Sequence, residues 1–134
     1  MTPPSVRPLP VTALFVLAWT ATAWTQEEPV RVTSPDGQVE IQIAAAPALT
    51  YRVSYRGQPV ILDSALGLEF EGQPPLAAGL TRVSATSGGA DQAYRVVAGK
   101  ANPMRDHHRS ARVEFREAGG AGRRLGIEAR AFDD

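Results

Sequence analysis

The sequence contains no cysteine. Disulfide scaffolds, Cys-ligated zinc, iron–sulfur clusters and thiol catalysis are therefore excluded. It has no net charge, since 14 Lys+Arg balance 14 Asp+Glu, and nucleic-acid binders usually show a strong basic bias. Lysine is nearly absent: Lys100 stands alone among arginines, which hints at a GC-rich genome and at nothing else. Aromatic residues make up only 7%. No apolar run reaches the roughly 20 residues that a transmembrane helix needs. No stretch carries a 3.6-residue apolar period, there is no internal repeat, and 11 Pro and 12 Gly recur too often for a long helix. What is present is a chain of 134 residues, 43% apolar and 21% charged. That is the length of one domain and the composition of a globular one.

The front of the chain reads as an address. Met1 to Pro10 hold four prolines and one charge, Arg7. The apolar run from Val11 to Ala23 follows and ends on the small-x-small pattern Ala21-Thr22-Ala23, with acidic residues only from Glu27. A short positive region, an apolar stretch of this length and such an end form a signal peptide. The expected organisation is a signal peptide over 1–23 and a β-sandwich domain over 24–134, exported to a Gram-negative periplasm. An uncleaved anchor is the alternative reading of the run. With no Cys after it, a lipid anchor on an N-terminal cysteine is excluded. After cleavage no membrane association is expected.

From Val30 onward the pattern has period two. Val39, Ile41 and Ile43 alternate with Gln38, Glu40 and Gln42; Tyr51, Val53 and Tyr55 with Arg52 and Ser54; Leu66, Leu68 and Phe70 with Gly67, Glu69 and Glu71. Tyr94 and Val96 flank Arg95, and Val60–Leu62 forms a short apolar run. Ala111, Val113 and Phe115 alternate with Arg112, Glu114 and Arg116, and Leu125, Ile127, Ala129 and Ala131 with Arg124, Gly126, Glu128 and Arg130. Successive strand residues point to opposite faces, so each stretch predicts a half-buried strand. Asp36-Gly37 and Arg56-Gly57 predict hairpins, with positive φ at both central positions. Gly88-Gly89 and Ala118–Gly122 predict further turns. The fold class is all-β, an antiparallel β-sandwich of eight or so short strands. If the last two strands pair, Arg112, Glu114, Arg116, Glu128 and Arg130 can form a solvated cross-strand ladder.

Candidate chemistry is sparse. Asp106-His107-His108 is the one cluster with metal or acid–base character, but in an extended segment the two histidines point apart, and no third ligand lies at a diagnostic spacing. A structural role is the expectation; a stand-alone metalloenzyme is a third hypothesis. Glu114 and Glu128 could be imagined as a glycosidase pair. Both sit among arginines, which keep a carboxylate ionised, whereas a general acid needs a raised pKa. Ser34-Pro-Asp-Gly37 has no nucleophile elbow, and the glycine pairs lack the Lys and helix of a phosphate cradle. Trp24 stands at a terminus, and Tyr51 and Tyr55 share the apolar face of their strand. This counts against an autonomous sugar-binding module. The sequence therefore offers no catalytic residue, no metal ligand and no cofactor site of its own.

The order of the motifs nevertheless carries a resemblance. Val32-Thr-Ser-Pro-Asp-Gly37 is followed by Leu49-Thr-Tyr-Arg-Val-Ser-Tyr-Arg-Gly-Gln-Pro-Val60 and Ser64-Ala-Leu-Gly-Leu68. Gly99-Lys100, Arg105-Asp-His107, Val113-Glu-Phe115 and Ile127-Glu-Ala-Arg-Ala-Phe-Asp-Asp134 come after it. Each is short; the series in order is specific. It resembles the N-terminal domain of glycoside hydrolase family 97, bacterial α-glucosidases and α-galactosidases, over nearly all of residues 24–134. The resemblance implies part of a β-super-sandwich, related to the galactose-mutarotase-like fold, with a catalytic (β/α)8 barrel following it. In the family, glutamates hold calcium and carboxylates act as general acid and as base or nucleophile. None of those maps onto a residue here. Arg105 and His107 match a family-like motif without an assigned role, and the roles of Asp106 and His108 stay open with them.

The family pattern continues with Gly and another strand where this sequence stops. The expectation is therefore a partial sandwich, inactive alone and prone to aggregate through open edges. The barrel would be its partner in cis, and α-linked oligosaccharide and calcium would belong to the parent enzyme. No nucleic-acid partner is expected. The alternative is a complete small secreted β-sandwich that binds a ligand.

Overall fold

The computed structural model describes residues 27–97, 103–119 and 122–133. The expected export segment 1–23, Trp24, Gly99-Lys100 and Asp134 lie outside the described residues. Nine strands make up the described fold: β1 (Val30–Thr33), β2 (Val39–Ala44), β3 (Thr50–Tyr55), β4 (Gln58–Ala65), β5 (Leu68–Phe70), β6 (Gln73–Leu76), β7 (Leu80–Tyr94), β8 (Met104–Glu117) and β9 (Arg124–Phe132). Every strand pairing is antiparallel. β1 to β4 form one meander in sequence order, β7 to β9 a second, and β5–β6 a separate hairpin. The all-β antiparallel sandwich expected from period-two patterning is the observed fold. Among the described residues no helix is long and apolar enough to cross a membrane.

The two larger sheets meet through β1 and β2 on β8 and β9. Ile43, Leu49, Leu76, Leu80, Val113 and Phe115 form the main core, and Val32, Ala111 and Ala131 continue it toward the end of β9. Alternation explains the membership. Ala111, Val113 and Phe115 lie two apart on β8 and face inward, while Arg112, Glu114 and Arg116 face out. Leu49 is fully buried and tied at both ends, its N–H donating to the Ala77 carbonyl at 2.8 Å and its carbonyl accepting from Leu66 at 2.9 Å.

The hairpins stand where expected, with one difference in mechanism. At Arg56-Gly57 both residues have positive φ, 50° and 75°, as a two-residue mirror-image turn requires. At the first hairpin only Gly37 does, at 76°. Five residues separate β1 from β2, and Pro35 fixes a negative φ at the second turn position. Gly37 N–H donates to the Ser34 carbonyl at 2.9 Å, and Ser34 N–H to the Val39 carbonyl at 2.8 Å.

Other expectations are corrected. Gly88-Gly89 is not a turn but the middle of β7, opposite Ser110 and Arg109. Glycine is needed there for close approach, since a Cβ on Gly89 would meet the His108 carbonyl oxygen. β7 thus runs unbroken for 15 residues and ends at Tyr94, so Val96 lies beyond it. Leu66 and Gly67 fall between β4 and β5 rather than within a strand, because Leu66 N–H turns to Leu49. Tyr55 is 43% exposed, with its hydroxyl on Gln38 Oε1 at 3.0 Å and Arg56 5.0 Å above its ring. It stands at the end of its strand, while Tyr51 and Val53 are half-buried.

Candidate functional site

β8 sets the geometry of Arg105, Asp106, His107 and His108. The segment is extended, so Arg105 and His107 share one face and Asp106 and His108 the other. Register then supplies their partners: Asp91 lies opposite His107, Gln92 opposite Asp106, and Ala90 and Phe132 flank His108. Arg105 donates from Nε to Asp91 Oδ1 at 3.0 Å and from Nη2 to Oδ2 at 3.1 Å. This fork holds the Asp91 carboxyl below the usual carboxylate range and raises the Arg105 guanidinium further. Both side chains are 60% exposed, so the pair adds little stability.

His107 Nδ1 lies 2.5 Å from Asp133 Oδ2, and its Nε2 4.0 Å from Asp91 Oδ2. The Nδ1 contact is close but not aligned as a hydrogen bond, leaving that buried nitrogen without a hydrogen-bond partner. On the opposite face His108 Nδ1 is 2.5 Å from Asp106 Oδ1. Its ring rests against Phe132 at a centroid distance of 4.9 Å and 44°. The His108 contact lowers the Asp106 carboxyl, aided by Gln92.

The structure thus separates the two histidines that the sequence places side by side. Each meets its own aspartate on its own face of the sheet. A carboxylate orienting an imidazole is half of a triad, yet among the described residues no serine or threonine hydroxyl hydrogen-bonds to either ring. Nor is there, among the described residues, any group of three or more His, Asp or Glu that could hold a metal. Asp91 and Asp133 went unnoticed in the sequence because their relation to His107 depends on the β7–β8–β9 register. A turn assigned to Gly88-Gly89 hides that register.

Glu114 and Glu128 project from the outward face of the same sheet, Glu114 opposite Gly126 and Glu128 opposite Arg112. Glu128 accepts from Arg130 Nε at 2.7 Å. The paired charges of the expected ladder are therefore Arg112 across from Glu128, with Arg130 beside it on the same strand. Ser34 and Asp36 are turn residues: Ser34 Oγ donates to Asp36 Oδ1 at 2.5 Å and accepts from Val39 N–H at 2.9 Å. The Ser34 hydroxyl, followed by the Gln38 N–H and side-chain amide, holds the Asp36 carboxyl low. Gly119 and Gly122, with φ of 91° and 61°, flank the β8–β9 turn.

The concave surfaces are shallow. One of about 210 Å³ is lined by Gln42, Thr50, Tyr51, Arg52 and Asp63 among others. Arg52 already spans it with a fork to Asp63 at 2.9 and 2.6 Å. A second, of about 200 Å³, is apolar and lies between β5 and β9.

Known proteins share this fold. The family model described as "Glycosyl-hydrolase 97 N-terminal" matches residues 32–134. Among solved structures, a glycoside hydrolase family 97 enzyme from Pseudoalteromonas sp. strain K8 is similar in three forms. They are a substituted variant, a second substituted variant in complex with panose, and a complex with acarbose. Each is 26% identical with a TM-score of 0.73, and the match covers 78% of this chain and 16% of that one. The chain thus spans a small part of the length of that enzyme. A comparison with curated proteins found no match.

Proposed function

The chain belongs to the glycosyl-hydrolase 97 N-terminal family, and on that premise we propose that it is the non-catalytic β-sandwich of an exported glycoside hydrolase. A catalytic domain in cis would be its working partner. The observation that carries this reading is the family match over residues 32–134. The state of the carboxylates supports it. A glycosidic general acid needs a raised pKa, whereas Asp36, Asp91, Asp106 and Glu117 are all lowered, each first by a side-chain hydrogen bond from Ser34, Arg105, His108 and Arg123 respectively. These are structural carboxylates, engaged in turns and strand pairs.

By the same proposal the parent enzyme takes α-linked oligosaccharide, and residues 1–23 direct it to the periplasm. The calcium implied by the family resemblance would belong to the parent enzyme; the described residues hold no group of three or more His, Asp or Glu that could ligate it.

A graft tests the proposal. The chain alone, assayed on an aryl α-glucoside, should show no turnover. Exchanged for the matching N-terminal segment of the Pseudoalteromonas enzyme, it should give a soluble, active chimera. Turnover by the purified chain alone would overturn the non-catalytic reading. An insoluble or inactive chimera beside an active parent would count against the in-cis role. Fusion of residues 1–26 to a phosphatase active only after export tests the address.

A further inference from the structure

We infer that the Asp36–Gly37 bond is a site of aspartyl isomerisation, held dormant in the folded chain by Ser34 and Gln38. This goes beyond the proposed enzymatic role and does not depend on it.

The reaction needs a protonated carboxyl group within reach of the next residue's main-chain nitrogen. The Gly37 nitrogen attacks the Asp36 carboxyl carbon, and the carboxyl's hydroxyl leaves as water together with the amide proton. Water then opens the five-membered imide at the main-chain carbonyl of Asp36. The chain now runs through the Asp36 side chain, with no atom gained or lost overall. Glycine in the following position is the most permissive, because no Cβ shields its nitrogen. Asp36-Gly37 is the only Asp-Gly pair in the sequence, and the one asparagine, Asn102, precedes a proline. Both residues of the pair are exposed, and a Cβ on Gly37 would meet nothing within 4 Å, so water has access.

The turn nevertheless withholds both reacting groups. Asp36 Oδ1 accepts from Ser34 Oγ at 2.5 Å and from the Gln38 N–H at 3.0 Å, and Oδ2 accepts from Gln38 Nε2 at 2.6 Å. Aspartate commonly bonds in this way to a main-chain N–H two residues on. Gln38 is itself held, its Oε1 accepting from the Tyr55 hydroxyl at 3.0 Å and from Arg56 Nε at 2.6 Å. The attacking nitrogen is engaged as well, since the Gly37 N–H donates to the Ser34 carbonyl at 2.9 Å. The imide closes only when the carboxyl releases its donors and the nitrogen its acceptor. The same hydrogen bonds favour the charged carboxylate, which lowers the protonated fraction that can react.

Ser34 is the central member of this guard. It is fully buried, and its hydroxyl is fixed from the far side by the Val39 N–H at 2.9 Å. Isomerisation would insert one carbon into the main chain of the turn that sets Val32 opposite Ile41. Val32 belongs to the core, so the lesion would reach the packing of β1.

The full-length chain tests this, held at neutral pH either folded or unfolded in guanidinium. Peptide mapping of residues 32–52 separates the isomer, which keeps its mass and changes its retention. The unfolded chain should isomerise at Asp36 at least about tenfold faster than the folded one, since it lacks every one of these bonds. In the folded chain Ser34→Ala should raise the rate about tenfold, the factor for one lost hydrogen bond to a charged group. Gln38→Ala, which keeps the Ser34 hydroxyl, should raise it by less. Asp63-Ser64 is the control within the same chain: acceleration confined to Asp36 separates a lost guard from lost folding. The inference is overturned by an Asp36 that isomerises equally fast folded and unfolded, or not at all when unfolded. Rates indifferent to both substitutions, or a Ser34→Ala acceleration shared equally by Asp63, overturn it too.

Discussion

Gly89 packs its bare Cα against the backbone of His108: a Cβ there would lie 2.5 Å from the histidine's carbonyl oxygen. The neighbouring Gly88 would meet only the Ser110 hydroxyl, at 3.2 Å, and a hydroxyl can rotate away. Gly89→Ala should therefore destabilise by about 1–3 kcal/mol, the usual range for overpacking against atoms that cannot yield. Gly88→Ala should lose much less. Urea midpoints of the two variants check this. Equal losses would mean that the glycine pair serves as a hinge rather than as a contact.

Ser34 is fully buried in the first turn, and its hydroxyl serves two partners, Asp36 and the Val39 N–H. Ser34→Ala leaves that N–H without its hydroxyl acceptor, for which about 1–3 kcal/mol is expected. The same change removes the largest influence that lowers Asp36. The Asp36 carboxyl should then titrate closer to its ordinary 3.8. A carbon-detected NMR titration reads this independently of stability, and an unchanged Asp36 would place the cause in the Gln38 contacts instead.

Most of the architecture is legible in the sequence because a strand with one buried face must alternate. Ala111, Val113 and Phe115 announce both β8 and the core. The long β7 is hidden for the opposite reason. Between Ser84 and Gln92 it is largely exposed and made of small residues, so no alternation marks it, and its glycines mimic a turn. The histidine contacts are hidden in turn, since the relation of Asp91 and Asp133 to His107 is a property of register. What the sequence does show at that place is negative and follows from period two alone: adjacent histidines on a strand point apart, and here they do.

The shifted carboxylates fix the direction of the pH response. Asp36, Asp91 and Asp106 are lowered from 3.8 and Glu117 from 4.5 in the folded chain. A group lowered on folding contributes stability that is full above its unfolded value and is lost as pH falls through the folded one. Arg52, Arg105 and Arg123 are raised by their carboxylate partners, so their contribution is constant until strongly alkaline conditions. These groups therefore give no slope between about pH 5 and 8 and a loss of Tm on acidification below about 4.5. Asp106→Asn should shrink that acid-side loss. A Tm that rises on acidification to pH 3 would contradict the assignment.

Phe115 is the largest fully buried side chain and packs with Val113, Leu49, Leu76, Leu80 and Ile43 in the main core. Phe115→Ala removes its apolar burial and leaves a cavity that strands on both sides hold open, for about 3–5 kcal/mol. A domain of this size has a total stability of about 5–15 kcal/mol, so this single change should bring it close to unfolding at room temperature. Val60, on edge strand β4 and 66% exposed, offers the contrast: Val60→Ala should stay within about 0.5 kcal/mol. Phe115→Leu, which refills part of the volume, should recover a good part of the loss. Urea denaturation with an unchanged slope would confirm that the effect lies in the folded core. A mild Phe115→Ala phenotype would mean that β8 and the first sheet are not held together through this contact.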